Sequence, residues 1–119
     1  MDPLEDSAAL FKLLSHPSRL AILQVLRDGE ECVCHMEAAL GLRQAYISQQ
    51  LMVLRQAGLV TDRRDGWNIF YRVTRPEVYA VLDAALGIVA GADAAAARPV
   101  IRGRPKSCPC PKCAARALN

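Results

Sequence analysis

The chain has 119 residues, 52% apolar but only 5% aromatic, which leaves room for one compact domain and a tail built on Leu, Val, Ile and Ala. No segment approaches the roughly 20 uninterrupted apolar residues of a membrane span. The acidic start Met1-Asp2-Pro3-Leu4-Glu5-Asp6 lacks the basic-then-apolar layout of a signal peptide, so the expected location is cytoplasmic, with no membrane partner.

The net charge of +3 conceals a division. Residues 1–42 carry a net −4 and residues 43–75 a net +4. Residues 76–97 hold three acids and no Lys or Arg, and residues 98–119 hold six basic side chains and no acid. A basic middle segment between acidic flanks is the footprint of an element that faces nucleic acid.

In chain order, Leu4, Ala8, Phe11 and Leu14 recur at helical spacing. Pro17 suits the first turn of a second helix, where its missing N–H is not needed. Leu20, Leu23, Val25 and Leu26 form that helix's apolar stripe, which Asp28-Gly29 ends. Residues 31–39 read as a short helix stopping near Gly41. His16 is expected at a helix start and His35 on the surface. Residues 43–57 give the clearest helix, with Ile47, Leu51 and Leu54 on one face and Gly58 as its stop. Arg43 is a poor N-cap for it.

The period then changes. Leu59-Val60-Thr61 and Ile69–Val73 are β-prone and flank Arg63-Arg64-Asp65-Gly66-Trp67-Asn68, in which Asp65-Gly66 signals a hairpin turn. A last helix is expected from about Pro76 to about Ala90, with Val78, Leu82, Ala85 and Val89 on one face. Beyond Gly91, an Ala run and then Pro, Gly and basic residues signal the end of regular packing. The expected division is residues 1–92 as the folded domain and 93–119 as a basic, Cys-rich tail.

Helices joined by a tight Gly turn and followed at once by a basic hairpin describe a winged helix-turn-helix, mainly α with a β-hairpin wing. No Gly-rich phosphate loop, nucleophile–base pair or catalytic metal triad is present, so an enzyme is not expected. Double-stranded operator DNA is the expected partner. On the helix at 43–57 the buried stripe leaves Gln44, Ala45, Ser48, Gln49 and Met52 outward. Amides and short polar side chains read base edges. Arg43 and Arg55 are placed to hold phosphates at the two ends. Arg63 and Arg64 before the turn, and Trp67 and Asn68 after it, are the candidate wing contacts.

These residues resemble a known family. Leu20-Ala21-Ile22-Leu23, Glu31-Cys32-Val33-Cys34, Ile47-Ser48-Gln49-Gln50-Leu51 and Leu54-Arg55-Gln56-Ala57-Gly58-Leu59-Val60 look like the ArsR/SmtB family of metal-sensing repressors, over roughly residues 8–90. The resemblance implies a homodimer in which the first and last helices pair, and release of DNA on metal binding. It also implies that Gln44, Ser48 and Gln50 face DNA, although the family commonly has His where this chain has Gln50.

Two sensing placements are usual in that family. One lies on the last helix and uses Asp and His. Residues 76–93 offer Asp83 and Asp93 but no His, which disfavours it. The other is the Cys-Val-Cys segment. The chain has five cysteines, and in a reducing compartment close-spaced cysteines are more often metal ligands or redox sensors than structural disulfides. Thiolates prefer soft ions, so As(III) is the leading inducer, with Sb(III), Cd(II) and Pb(II) behind it. On a regular helix residues i and i+2 point about 200° apart. Cys32 and Cys34 can therefore share one ion only where the helix start is distorted, and that distortion would sit beside the recognition helix. A third local ligand would stand at position 37, which is Glu37. The tail motif Cys108-Pro-Cys110-Pro-Lys-Cys113 is then the source of the remaining thiol, with Cys108, Cys110 and Cys113 as candidates. A thiol-redox or sulfide signal acting on the same fold is the alternative. A metal scavenger using the fold only as a scaffold is a further one.

Overall fold

The computed structural model describes residues 2–91. The tail at 93–119, and with it Cys108, Cys110 and Cys113, lies outside the described residues. Helix α1 spans Pro3–Leu14 and is capped by the Asp2 carboxylate, which accepts the Leu4 N–H at 2.9 Å. Helix α2 spans Pro17–Val25, with His16 at its N-cap and Pro17 in its first turn; a 3-10 turn, Leu26–Asp28, closes it. Strand β1 is Glu31–Cys32, followed directly by helix α3, Val33–Leu40. Gly41, at φ 67°, takes the left-handed conformation that ends α3 and turns the chain into α4, Gln44–Gln56. Strands β2 (Val60–Asp65) and β3 (Asn68–Val73) form the wing, and α5 spans Val78–Ala90. No helix among the described residues is long and apolar enough to cross a membrane.

The core lies where α2, α3 and α4 meet. Ile22, Leu23, Met36, Ile47, Leu51 and Leu54 are fully buried there, and Leu14, Val60 and Val78 close its edges. Each fully buried Leu or Ile contributes about 1.5–3 kcal/mol of apolar burial. That burial holds the helix-turn-helix together although α4 has no side-chain N-cap.

Three expectations change. Glu31 and Cys32 do not begin the third helix; they pair with Tyr71 and Phe70 as a third strand, giving sheet order β1-β3-β2. Two residues are too few to show a period. The wing is also longer than its apolar segments suggest, because the ladder runs to Asp65↔Asn68 around the two-residue loop Gly66-Trp67. Backbone pairing there carries the strand past the point where apolar residues stop. Finally, Leu14 is the one buried member of the α1 stripe, with Leu4 78% and Phe11 58% exposed. On α5, Val78 and Leu82 are buried but Ala85 and Val89 are exposed. Three of the four residues of the predicted α1 face and two of the four of the α5 face are thus exposed in the described protomer.

Candidate nucleic-acid interface and dithiol site

Helix α4 turns Ile47, Leu51 and Leu54 inward, and this fixes what faces out: Arg43, Gln44, Ala45, Gln49 and Met52 are exposed, and Ser48 is half-buried. Gln50 differs. Its Oε1 accepts the Arg19 Nε–H at 2.8 Å, so its amide is turned toward α2. Tyr46, not anticipated from the sequence, is exposed on the same helix, and its hydroxyl hydrogen-bonds the Ser18 hydroxyl at 2.8 Å. Nothing in the local pattern ties Tyr46 to a residue 28 positions earlier.

The wing presents Trp67 at its tip, fully exposed. Arg43, Arg64 and Arg72 make no ion pair with a described residue. Arg55 stands 3.4 Å from Asp62 and remains largely exposed. Arg63 is placed differently from the other wing residues. Its Nη2 and Nε donate to the two Glu30 carboxylate oxygens at 2.6 and 3.1 Å, and its guanidinium lies 4.8 Å from the Phe70 ring centre. The Glu30 hydrogen bonds raise the already high pKa of Arg63. Arg63 is thus held by the protein's own acid, whereas Arg64 is open to solvent.

Cys32 and Cys34 come together. Cys32 is the N-cap of α3 in extended conformation (φ −85°, ψ 162°), so its side chain does not follow the helical rotation. Cys34 lies in the first turn. Their Cα atoms are 5.5 Å apart and the two sulfurs are joined as a disulfide. The strand-to-helix junction therefore supplies the departure from helical geometry that a shared site requires. Cys32 is buried and Cys34 half-buried, both against Phe70.

His35 is not a surface residue. It is fully buried, with Nε2 3.7 Å from Oε2 of buried Glu31. Its ring is enclosed because α3 turns that face onto the core. Among the described residues no three His, Cys, Asp or Glu side chains converge to hold a metal ion. Once reduced, the Cys32–Cys34 pair would offer two thiolate sulfurs, the donor type that thiophilic ions prefer.

The dithiol and the outward face of α4 are neighbours. A groove of about 420 Å³ is lined by Cys32, Cys34 and Glu37 together with Gln44, Ser48 and Asn68. Gln44 and Ser48 are two of the expected base-reading residues. The two sulfurs and two of the expected base-reading residues thus line one groove.

On the opposite side, α5 is fastened to α2. Arg27 donates to both Asp83 carboxylate oxygens at 3.0 and 2.5 Å and lies 4.5 Å from the centre of the Tyr79 ring. The Tyr79 hydroxyl donates to the Leu23 carbonyl at 2.7 Å, and burial pushes its pKa up to about 12. Asp83, the last-helix carboxylate considered for a metal, is engaged by this arginine.

Comparison with known proteins agrees with this architecture. Residues 16–62 match the family model described as bacterial regulatory protein, arsR family. The chain is 43% identical over 81 residues to a biofilm growth-associated repressor of Agrobacterium fabrum, covering 68% of this chain and 69% of that protein. It is 44% identical over 82 residues to an arsenic resistance transcriptional regulator of Pseudomonas putida, covering 67% and 63%. Among solved structures, a homodimeric winged helix-turn-helix DNA-binding domain from Mycobacterium bovis superposes with a TM-score of 0.62. Sequence identity is 30%, over 69% of this chain and 79% of that one.

Proposed function

Because the chain belongs to the ArsR family of bacterial regulatory proteins, and so is a transcriptional repressor rather than an enzyme, we propose that it holds operator DNA as a cytoplasmic homodimer and releases it when Cys32 and Cys34 capture a thiophilic signal. The observation that carries this reading is the convergence of the two sulfurs on the groove shared with Gln44 and Ser48.

In the DNA-bound state Gln44, Ala45, Ser48 and Gln49 enter the major groove, where amides and hydroxyls discriminate base edges. Arg43, Arg55 and Arg64 hold phosphates, and Trp67 with Asn68 reaches the backbone or minor groove from the wing. The dimer reading is supported by the apolar side chains that α1 and α5 leave outward: Leu4, Phe11, Ile88 and Val89. A second protomer covers them.

As(III) is the leading signal. The reduced Cys32 and Cys34 each give up a thiol proton, which leaves with an arsenite hydroxide as water while a sulfur–arsenic bond forms. A tail thiol from Cys108, Cys110 or Cys113 completes a three-thiolate set. Sb(III), Cd(II) and Pb(II) suit the same sulfurs. Release follows only from a lower affinity of the loaded form for DNA. The sulfur–sulfur bond favours a second reading, in which the pair closes by losing two electrons and two protons to a disulfide or peroxide oxidant.

The experiment is operator binding by fluorescence anisotropy in separate titrations with arsenite, Cd(II) and diamide, each against a reducing control. Release by arsenite in reduced protein supports the first reading, and release by diamide alone supports the second. Absence of a saturable, salt-sensitive operator complex overturns both and leaves a scavenger.

A further inference from the structure

Cys32, Phe70 and Arg63 occupy a single row across the three strands, since Cys32 pairs with Phe70 and Phe70 with Arg63. Residues directly opposite in an antiparallel ladder share a face. The opposite face carries Val60, Tyr71 and Val73 into the main core. The row forms its own small cluster: Cys32 and Phe70 are both buried, Cys34 packs on them, and the Arg63 guanidinium covers the Phe70 ring. Arg63 then reaches beyond the row to the carboxylate of Glu30, two residues before Cys32. The contacts thus run from Cys32 across the wing and back to Glu30, the residue just before the strand that bears Cys32.

We propose that Arg63 is a positioning residue that couples the dithiol to the wing, holding the hairpin to Glu30, just before strand β1, so that a change at the sulfurs moves the wing as well as the recognition helix. This rests on the sensing reading above and names its route of transmission. The clamp is suited to the task because a bidentate guanidinium–carboxylate pair fixes orientation as well as distance. Arg64, one position on, faces away from the row and has no ion pair with a described residue, so the two adjacent arginines divide between coupling and contact.

The test compares Arg63→Gln and Glu30→Gln with the unaltered chain, using whichever of arsenite or diamide releases the latter from operator DNA. Both variants should lose coupling, so that the drop in operator affinity on signal becomes about fivefold smaller or less still. The slope of log affinity against log salt should stay unchanged in Arg63→Gln, whereas a phosphate contact would lower it by about 1. The charge-reversed pair Glu30→Arg with Arg63→Glu should recover the response, which a folding defect would not. Full response in both single variants, with a lower salt slope in Arg63→Gln, overturns the coupling role and returns Arg63 to the phosphate contacts. Release of the unaltered chain by neither reagent overturns the sensing reading, and the coupling with it.

Discussion

Arg19 donates its Nε–H to Oε1 of Gln50 across 2.8 Å, and through Nη1 the same guanidinium donates to the Leu13 carbonyl across 2.9 Å. One side chain thereby ties α1, α2 and the recognition helix together. Gln50→Ala should lower stability by about 0.5–1.5 kcal/mol, the net worth of such a bond, read by urea denaturation. It should weaken operator binding about equally for all sequences. Gln44→Ala and Gln49→Ala should instead relax discrimination at single base positions by about 1–3 kcal/mol, read by competition with substituted operators.

Arg64 and Trp67 are the parts of the wing most open to DNA. Arg64→Gln should reduce the salt slope of operator binding by about 1 while leaving sequence preference intact. Trp67→Ala should weaken binding without lowering thermal stability, because the side chain buries nothing in the protomer. A fall in melting temperature with unchanged binding would place Trp67 in the fold instead.

The outward apolar residues of α1 and α5 should be interface. Ile88, 86% exposed in the protomer, is the sharpest probe. Ile88→Glu should convert a dimer into a monomer in analytical ultracentrifugation, with a loss of operator affinity because two half-sites are no longer held together. A monomeric unaltered chain would remove the dimer from the account.

Tyr79 supplies a pH dependence with a definite sign. Its folded pKa is raised from 10.0 to about 12, so the folded state retains a proton that the unfolded chain loses over that window. The stabilisation is complete below pH 10 and is lost as pH rises toward 12, by about 1–2 kcal/mol. Burial raises the pKa of Tyr71 as well, which adds loss in the same direction. Tyr79→Phe should be less stable at neutral pH, lacking the bond to the Leu23 carbonyl, but flatter between pH 10 and 12.

The tail prediction concerns ligand number. Ending the chain just before Cys108, so that the tail thiols are lost, should preserve operator binding yet weaken the arsenite response. X-ray absorption of the arsenite-loaded protein should count three sulfurs in the intact chain and two in the shortened one. Three sulfurs in both would exclude the tail thiols.

Much of the fold was legible because α4 and its Gly-bounded neighbours repeat apolar residues at helical spacing, and Ile47, Leu51 and Leu54 are indeed fully buried. Strand β1 was not legible, since two residues carry no period and only pairing with β3 defines them. The convergence of Cys32 and Cys34 was visible as a geometric requirement, but its solution depends on Cys32 sitting at a strand end. Likewise Arg63 and Arg64 are identical in composition and adjacent in sequence. Strand alternation turns one toward Glu30 and the other away, which only the register decides. His35 read as a surface residue because a lone His between Cys34 and Met36 has no pattern to bury it; its enclosure beside Glu31 comes from tertiary packing.

The central claim is that the Cys32–Cys34 pair receives the signal that frees DNA. Its most direct measurement is operator affinity of reduced protein with and without arsenite, for the unaltered chain and for Cys34→Ser. The account predicts a large arsenite-dependent loss of affinity in the former and none in Cys34→Ser, with equal binding by both before arsenite is added. Arsenite release of Cys34→Ser at the same concentration as the unaltered chain would contradict it.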